Sequence, residues 1–528
     1  AARFARLDFG LVTKPSKLTA TVPLSLEFFM RSIVFAIALV AIALLTGGMV
    51  AQVTPAKMLI AICAVVIFTA AFIKVDWGLY ILIFSMLLSP EFLAGETAGS
   101  SLGRGVTLRL EDLLLVLIGL SWFARNAVTK DLGLFRKTPL NKPILFYMLA
   151  CVLSTGFGVM AGRVELKTGL LFLLKYLEYF IVFFMMVNHV RNGAQVKRFV
   201  VCLFLTAFIV AVVGMFQIPG GERVSAPFEG DIGEPNTFGG YLLFTGMVAA
   251  GMAAKIKNRR AMHLLLLLIV CMVPPFFFTQ SRSSYLAFVP ALMVLGFMTE
   301  RRLIIVGLLS VGLLLSPLFL PGIVKQRILY TFNQPEEPGQ ITIGELRLDT
   351  STSARLQSWQ EAARDFTKHP LLGYGVTGYA FIDAQFPRVL TETGLLGLSA
   401  FIYLLVSVFR MALQRLRETE DPFFKGLIMG FTAGFVGLVV HSFGTNTFIL
   451  VRIMEPFWFF VGIIAVLPMI RVEPPAPAEK AVRPLPVRFA SPSRTPSLPL
   501  IFPPRLGKGS RLDGRALTAE WQKKNPGG

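Results

Sequence analysis

The apolar positions of this chain come in continuous runs of about twenty residues, separated by short polar breaks. A run of that length crosses a hydrocarbon layer of about 30 Å as an α-helix. Such runs fall near 32–51, 56–73, 77–93, 107–124, 143–161, 168–188 and 197–218, and again near 236–254, 262–280, 282–299, 302–320, 389–411, 423–443 and 449–469. They predict an all-α polytopic membrane fold with about fourteen transmembrane helices, twelve at the fewest. The runs at 77–93, which ends in Ser-Pro-Glu, and 302–320, with Pro317 near its end, also fit a broken or re-entrant segment.

The polar breaks divide the chain. Residues 1–31 are an N-terminal segment, 32–320 hold helices one to eleven, 321–388 form a long loop, 389–470 hold helices twelve to fourteen, and 471–528 are a tail. Lys and Arg concentrate on alternate breaks, as at Arg125–Lys142, Lys255–Arg260 and Arg410–Lys425. By the positive-inside rule, this places both termini in the cytoplasm and the 321–388 loop on the outer face. The loop is not low in complexity. Ser353–Lys368 reads as an amphipathic helix with Leu356, Trp359, Ala363 and Phe366 in one stripe, and Thr350, Ser351 or Ser353 as its N-cap.

Composition agrees with the pattern. The chain is 54% hydrophobic and 16% charged, with mean hydropathy +0.67, which excludes a soluble enzyme, a disordered protein and a disulfide-rich secreted domain. Cys63, Cys151, Cys202 and Cys271 all lie inside apolar runs, so they read as small core residues with no thiolate metal spacing. The net charge of +20 is partly the topology signal and partly the tail, whose Pro, Ser and Arg content cannot bury a core. The polar N-terminal stretch of about thirty residues does not have the layout of a cleaved signal peptide. No basic patch interleaved with aromatics points to nucleic acid.

Chemistry is concentrated in and around the loop. Thr352-Ser-Ala-Arg355-Leu-Gln-Ser-Trp359 is followed by His369-Pro370-Leu-Leu-Gly373-Tyr-Gly375 and then by Glu392-Thr-Gly394-Leu-Leu-Gly397. Earlier come Leu110-Glu111-Asp112, Glu234-Pro-Asn236-Thr-Phe-Gly-Gly and Thr279-Gln-Ser281-Arg282-Ser. In order and placement, over about residues 105–470, this set resembles the O-antigen ligase/polymerase family of bacterial membrane glycosyltransferases.

The resemblance implies a metal-independent, inverting glycosyl transfer with no cofactor. The donor would be a glycan on a polyprenyl diphosphate, undecaprenyl diphosphate being the bacterial carrier, and the acceptor a glycan or glycolipid. It also implies the bacterial inner membrane, with the site on the periplasmic face. A departing diphosphate needs fixed cations, preferably guanidinium groups. Arg282, Arg355, Arg388 and Arg452 are the candidates. An acceptor hydroxyl needs a general base, and Asp383 or Glu392 would serve.

Each candidate also has a plainer role. Arg282 would snorkel at the interface, Arg452 would pair with Glu455 three residues on, and Lys175 would pair with Glu178. His441 reads as a satisfied structural histidine, and His369 as part of the loop's turn.

Ligases of this family commonly carry a His about nine residues before the Glu-x-Gly turn. Here the stretch reads Asp383-Ala-Gln-Phe-Pro-Arg388. That favours a polysaccharide polymerase of the O-antigen or exopolysaccharide branch over a ligase acting on lipid A core or protein. A lipid-linked oligosaccharide flippase is the alternative from another class, but no repeated halves are visible. Membrane lipids and chain-length-regulating or assembly proteins complete the expected partners.

Overall fold

In a computed structural model, residues 55–93, 107–129, 136–228, 233–299, 334–343 and 346–470 are described, together with a few single positions between 300 and 333. The expected segments 1–31 and 471–528, the apolar run 32–51 and, but for one position, the run 302–320 lie outside these residues.

The described chain is helical apart from two short two-stranded ladders. The order is α1 (Pro55–Ile73), α2 (Val75–Leu88), β1 (Glu91–Leu93), β2 (Thr107–Arg109), α3 (Leu110–Thr129), α4 (Asn141–Met160), α5 (Leu166–His189) and α6 (Gly193–Gln217). Then follow α7 (Pro235–Lys255), α8 (Arg259–Phe278), α9 (Arg282–Met298), β3 (Thr342–Ile343), β4 (Leu346–Arg347), α10 (Thr350–Phe366), α11 (Gln385–Glu418), α12 (Pro422–His441) and α13 (Val451–Val466). Eight of these, α4–α8 and α11–α13, are long and apolar enough to cross a membrane. The chain is therefore a multi-pass membrane protein. Its expected runs at 56–73 and 77–93 are α1 and α2, separated by the single extended residue Lys74.

Small residues set the tightest packing. Gly426, Gly430 and Gly434 recur every fourth residue on α12, on one face of the helix, and lie against the α7 backbone at Gly251–Met252, Met247–Val248 and Phe244. A Cβ at Gly426 would stand 2.8 Å from the Gly251 carbonyl oxygen. Helices in lipid gain from such close approach, because apolar burial alone does not favour helix against helix over helix against lipid tail. Around this pair, Phe244, Phe431, Phe435 and Phe457 interlock with ring centroids 5.3–6.1 Å apart. Helix α13 lies almost wholly inside the protein, with every residue from Val451 to Val466 buried.

Candidate functional site

The cap helix α10 begins three residues earlier than its pattern suggested, with Asp349 as the N-cap residue. Its buried side also differs. Ala362 is buried and Trp359 packs beside it against Ile382 and Ala384, while Ala363 faces outward. The weakly apolar stripe left that rotation open by one position.

After α10 the chain turns through His369–Gly375, and the turn docks into a break in α11. Gly394 has φ 66° and ψ −166°, which interrupts the helix inside an apolar stretch. The interruption frees backbone groups, and the turn supplies partners for them. Tyr374 N–H donates to the Thr391 carbonyl and Gly375 N–H to that of Glu392, both at 2.9 Å. Leu395 N–H donates back to Pro370 O at 2.9 Å and Leu396 N–H to Leu371 O at 3.2 Å. From α4, Ser154 Oγ reaches the Glu392 carbonyl at 2.6 Å and that of Leu372. His-Pro-Leu-Leu-Gly-Tyr-Gly and Glu-Thr-Gly-Leu-Leu-Gly are thus two halves of one joint. Gly394 is required there by its left-handed φ and by the Leu371 carbonyl beside it. His369 belongs to the turn, its ring edge-on to Tyr374 at 4.7 Å. The joint is tied to the cap helix at Asp365, whose carboxylate accepts from Tyr379 Oη at 2.9 Å. Burial and that carboxylate push the Tyr379 phenol up to about 12, so it remains a donor.

Two arginine–aspartate pairs bind the cap to the bundle. Arg282, the first residue of α9, donates to Asp349 at 2.7 Å. Arg355, on α10, donates to Asp383 in the segment before α11 at 3.0 Å. The first pair is anchored where Gln280, a non-glycine residue at φ 51°, turns the chain sharply between α8 and α9. Ser281 then caps α9 by accepting from Ser284 N–H. Burial raises the Asp349 carboxyl more than any one contact lowers it, but the hydrogen bond and charge of Arg282 and the contacts of Thr352 together outweigh it and hold the group below the usual carboxylate range.

Arg388 and Glu392 have different partners from those expected of substrate groups. They pair with each other at 3.0 Å, one turn apart on α11, and both are buried. The Arg388 guanidinium also lies over the rings of Phe172 (5.8 Å) and Phe381 (5.6 Å), and Glu392 accepts from Thr377 N–H at 3.3 Å. Arg452 does not close on Glu455. It is buried and donates to the carbonyls of Pro227 (2.9 Å) and Ser89 (3.5 Å).

Arg452 belongs to a second charged group that no single stretch of sequence revealed. Lys175 pairs with Asp112 and, at 3.7 Å, with Glu178, so its expected partner is present but is not the nearer one. Glu111 accepts from Ser89 Oγ at 2.8 Å and from Arg109 at 3.4 Å. Glu455 lies close enough to Glu111, Glu178 and Asp112 to interact with their charges. In the sequence, Glu111 and Asp112, Lys175 and Glu178, and Arg452 and Glu455 stand as separate pairs on α3, α5 and α13. Asp349 lies outside all of these motifs, although an acid directly before Thr-Ser-Thr-Ser is an N-cap signal.

His441 is fully buried, with hydroxyl partners on both ring nitrogens: Ser284 at Nε2 (3.1 Å), and Thr447 (2.8 Å) and Thr445 (2.9 Å) at Nδ1. Its plain structural reading agrees with these contacts.

Residues 264–396 match the family model described as O-antigen ligase. The matched stretch begins in α8 and ends just past the Gly394 break. It includes Arg282, Asp349, Arg355 and Asp383 and stops short of His441 and Arg452. No curated protein matches the chain.

Proposed function

We propose, on the premise of the O-antigen ligase domain at residues 264–396, that this multi-pass membrane protein transfers a glycan from a polyprenyl-diphosphate carrier to a hydroxyl of a glycan acceptor. The observation that carries this reading is the pair of arginine–aspartate contacts under the cap. Asp349 and Arg355 sit six residues apart, about 9 Å along the axis of α10. A diphosphate competes well with an aspartate for a guanidinium group, because it offers more charge and bidentate oxygens. In this mechanism Arg282 and Arg355 take the diphosphate and stabilise the charge that grows as the glycosyl C–O bond breaks. Asp383, freed from Arg355 and the more exposed partner of that pair, accepts the acceptor proton while the new C–O bond forms on the opposite face of the sugar. The electron pair of the broken bond leaves with the diphosphate. Glu392, Arg388 and Arg452 hold the scaffold instead, since their charged groups are buried and already bonded.

The reading favours polymer extension at the outer face of the bacterial inner membrane, with both termini cytoplasmic. It follows from the basic breaks between spans and from the Asp at the position where ligases of this kind commonly carry a His. Purified protein incubated with a polyprenyl-diphosphate oligosaccharide tests it. Longer lipid-linked products mean polymerase, and transfer to lipid A core means ligase. Absence of product with both acceptors overturns the glycosyltransferase reading and favours a flippase.

A further inference from the structure

The loop that follows α12 holds the segment carrying Asp383. Ser442 O accepts from Gln385 N–H (3.0 Å), Asn446 Nδ2 donates to the Ile382 carbonyl (2.8 Å), and Phe448 N–H donates to Gln385 Oε1 (3.0 Å). Within the same loop, Thr447 and Thr445 stand against Nδ1 of His441. On the other side of the ring, Nε2 meets Ser284 Oγ, which donates to Ser281 Oγ at 2.9 Å. Ser281 is the N-cap of α9, and Arg282 is the next residue.

The hydroxyl partners suit a neutral imidazole in either tautomer, since Ser284 at Nε2 and Thr445 or Thr447 at Nδ1 can each donate or accept. A neutral imidazole is then fully satisfied without exchanging a proton. The Arg355 guanidinium is also close enough to act on the ring electrostatically.

We propose that His441 is a positioning residue, a buried brace that fixes the arginine receiving the diphosphate relative to the carboxylate receiving the acceptor proton. One ring nitrogen holds the cap of α9 and hence Arg282; the other holds the loop that seats Asp383. Having no exposed surface, His441 touches neither substrate. The proposal rests on the glycosyl-transfer reading and adds to it what sets the geometry between the two halves of the site. Leu is close to His in volume but removes both polar contacts, whereas Gln keeps one donor and one acceptor.

The test uses the full chain in nanodiscs. Transfer is measured against donor concentration and pH, and binding of radiolabelled polyprenyl diphosphate is measured separately. His441→Leu is expected to raise the donor KM, and weaken diphosphate binding, by about tenfold or more, as misplacement of a binding group does. The pH profile should keep its shape, and His441→Gln should recover to within about threefold, the loss of part of one contact. Adding Ser284→Ala to His441→Leu should bring little further loss, since both remove the same link. Size-exclusion and thermal unfolding establish that each variant is folded.

If His441→Leu kept wild-type transfer and diphosphate binding, the brace alone would fall. It would also fall if folded His441→Gln were as impaired as His441→Leu, or if a limb of the pH profile disappeared, because the imidazole would then be the base. A wild-type chain that neither transfers glycan nor binds the diphosphate would overturn the function and the brace together.

Discussion

Under the cap, Arg355 and Asp383 keep 24% and 37% of their side chains exposed; within the bundle, Glu111 and Lys175 keep 1% and 15%. Arg355 and Asp383 form a pair that bridges separate elements and that water or a ligand can reach, while the other cap pair, Arg282 with Asp349, has its carboxylate enclosed. The bundle charges form a sealed group in which four carboxylates (Glu111, Asp112, Glu178 and Glu455) share Lys175, Arg109 and Arg452. Oxygens of Asp112, Glu178 and Glu455 there have no hydrogen-bond partner. An ion pair at a water boundary contributes little stability and exchanges partners readily. One enclosed by protein contributes little on balance, but losing a member leaves a charge that nothing can solvate. Similar residue types thus suit exchange of partners in one place and cohesion between helices in the other.

Substitutions can break that contrast, the most damaging first. Lys175→Met should cost about 3–5 kcal/mol, because Asp112 and Glu178 would be left enclosed without their cation. A thermal melt in detergent measures this, and a melt matching wild type would show the group to be wetter than its burial implies. Arg355→Ala should leave the melt nearly unchanged, whereas Arg282→Ala should lower it because the enclosed Asp349 loses its partner; each should lower transfer by about 10²–10³-fold, the scale for losing one charge-stabilising donor. Wild-type polymer lengths in both variants would remove the site from beneath the cap. Gly394→Ala should destabilise by about 1–3 kcal/mol from its forced left-handed backbone, read as faster proteolysis of the cap.

Acid should act on the cap in a definite direction. The Asp349 carboxyl is held below its ordinary range, so the stability from its pairing is complete above about pH 4 and is lost as pH falls through the lower, folded-state value. Asp349→Asn should abolish that dependence, seen as cap proteolysis that no longer rises with acid. The smallest effect belongs to Glu418→Gln, whose pair with Arg415 is open to solvent. There the thermal melt should not shift measurably.

How far the fold was legible follows from what hydropathy measures. A run such as 423–443 states that a helix is apolar, and α12 covers nearly the same residues. Because lipid and protein neighbours are equally apolar, the run does not state which face meets α7, although the Gly426, Gly430 and Gly434 spacing does carry that signal. The break at Gly394 lies in a stretch whose apolar character hides it. Its backbone partners come from about twenty residues upstream, and no local pattern encodes such pairing. Arg388 and Glu392 stand at helical i, i+4 spacing, so their mutual pairing was readable. The motif set places the same two residues beside the loop, which is why the resemblance also offers them to substrate. Arg282 and Arg355 were picked out by their position in the motifs, whereas their partners and the junction around His441 depend on contacts between elements far apart in sequence.

The joint at Gly394 bears on how this protein is assembled and how it can be recombined. Without the turn, the carbonyls of Thr391 and Glu392 would lack partners that hydrocarbon cannot supply, so this end of the helix is finished only when the preceding turn is seated. Faults in that turn would therefore surface first as failed membrane insertion and clearance of the chain, before any loss of turnover could be recorded. The cap likewise has a natural seam. An exchange between related chains that carries residues 369–396 as one block keeps the joint whole, whereas a crossover between the turn and the break leaves each half without its partner.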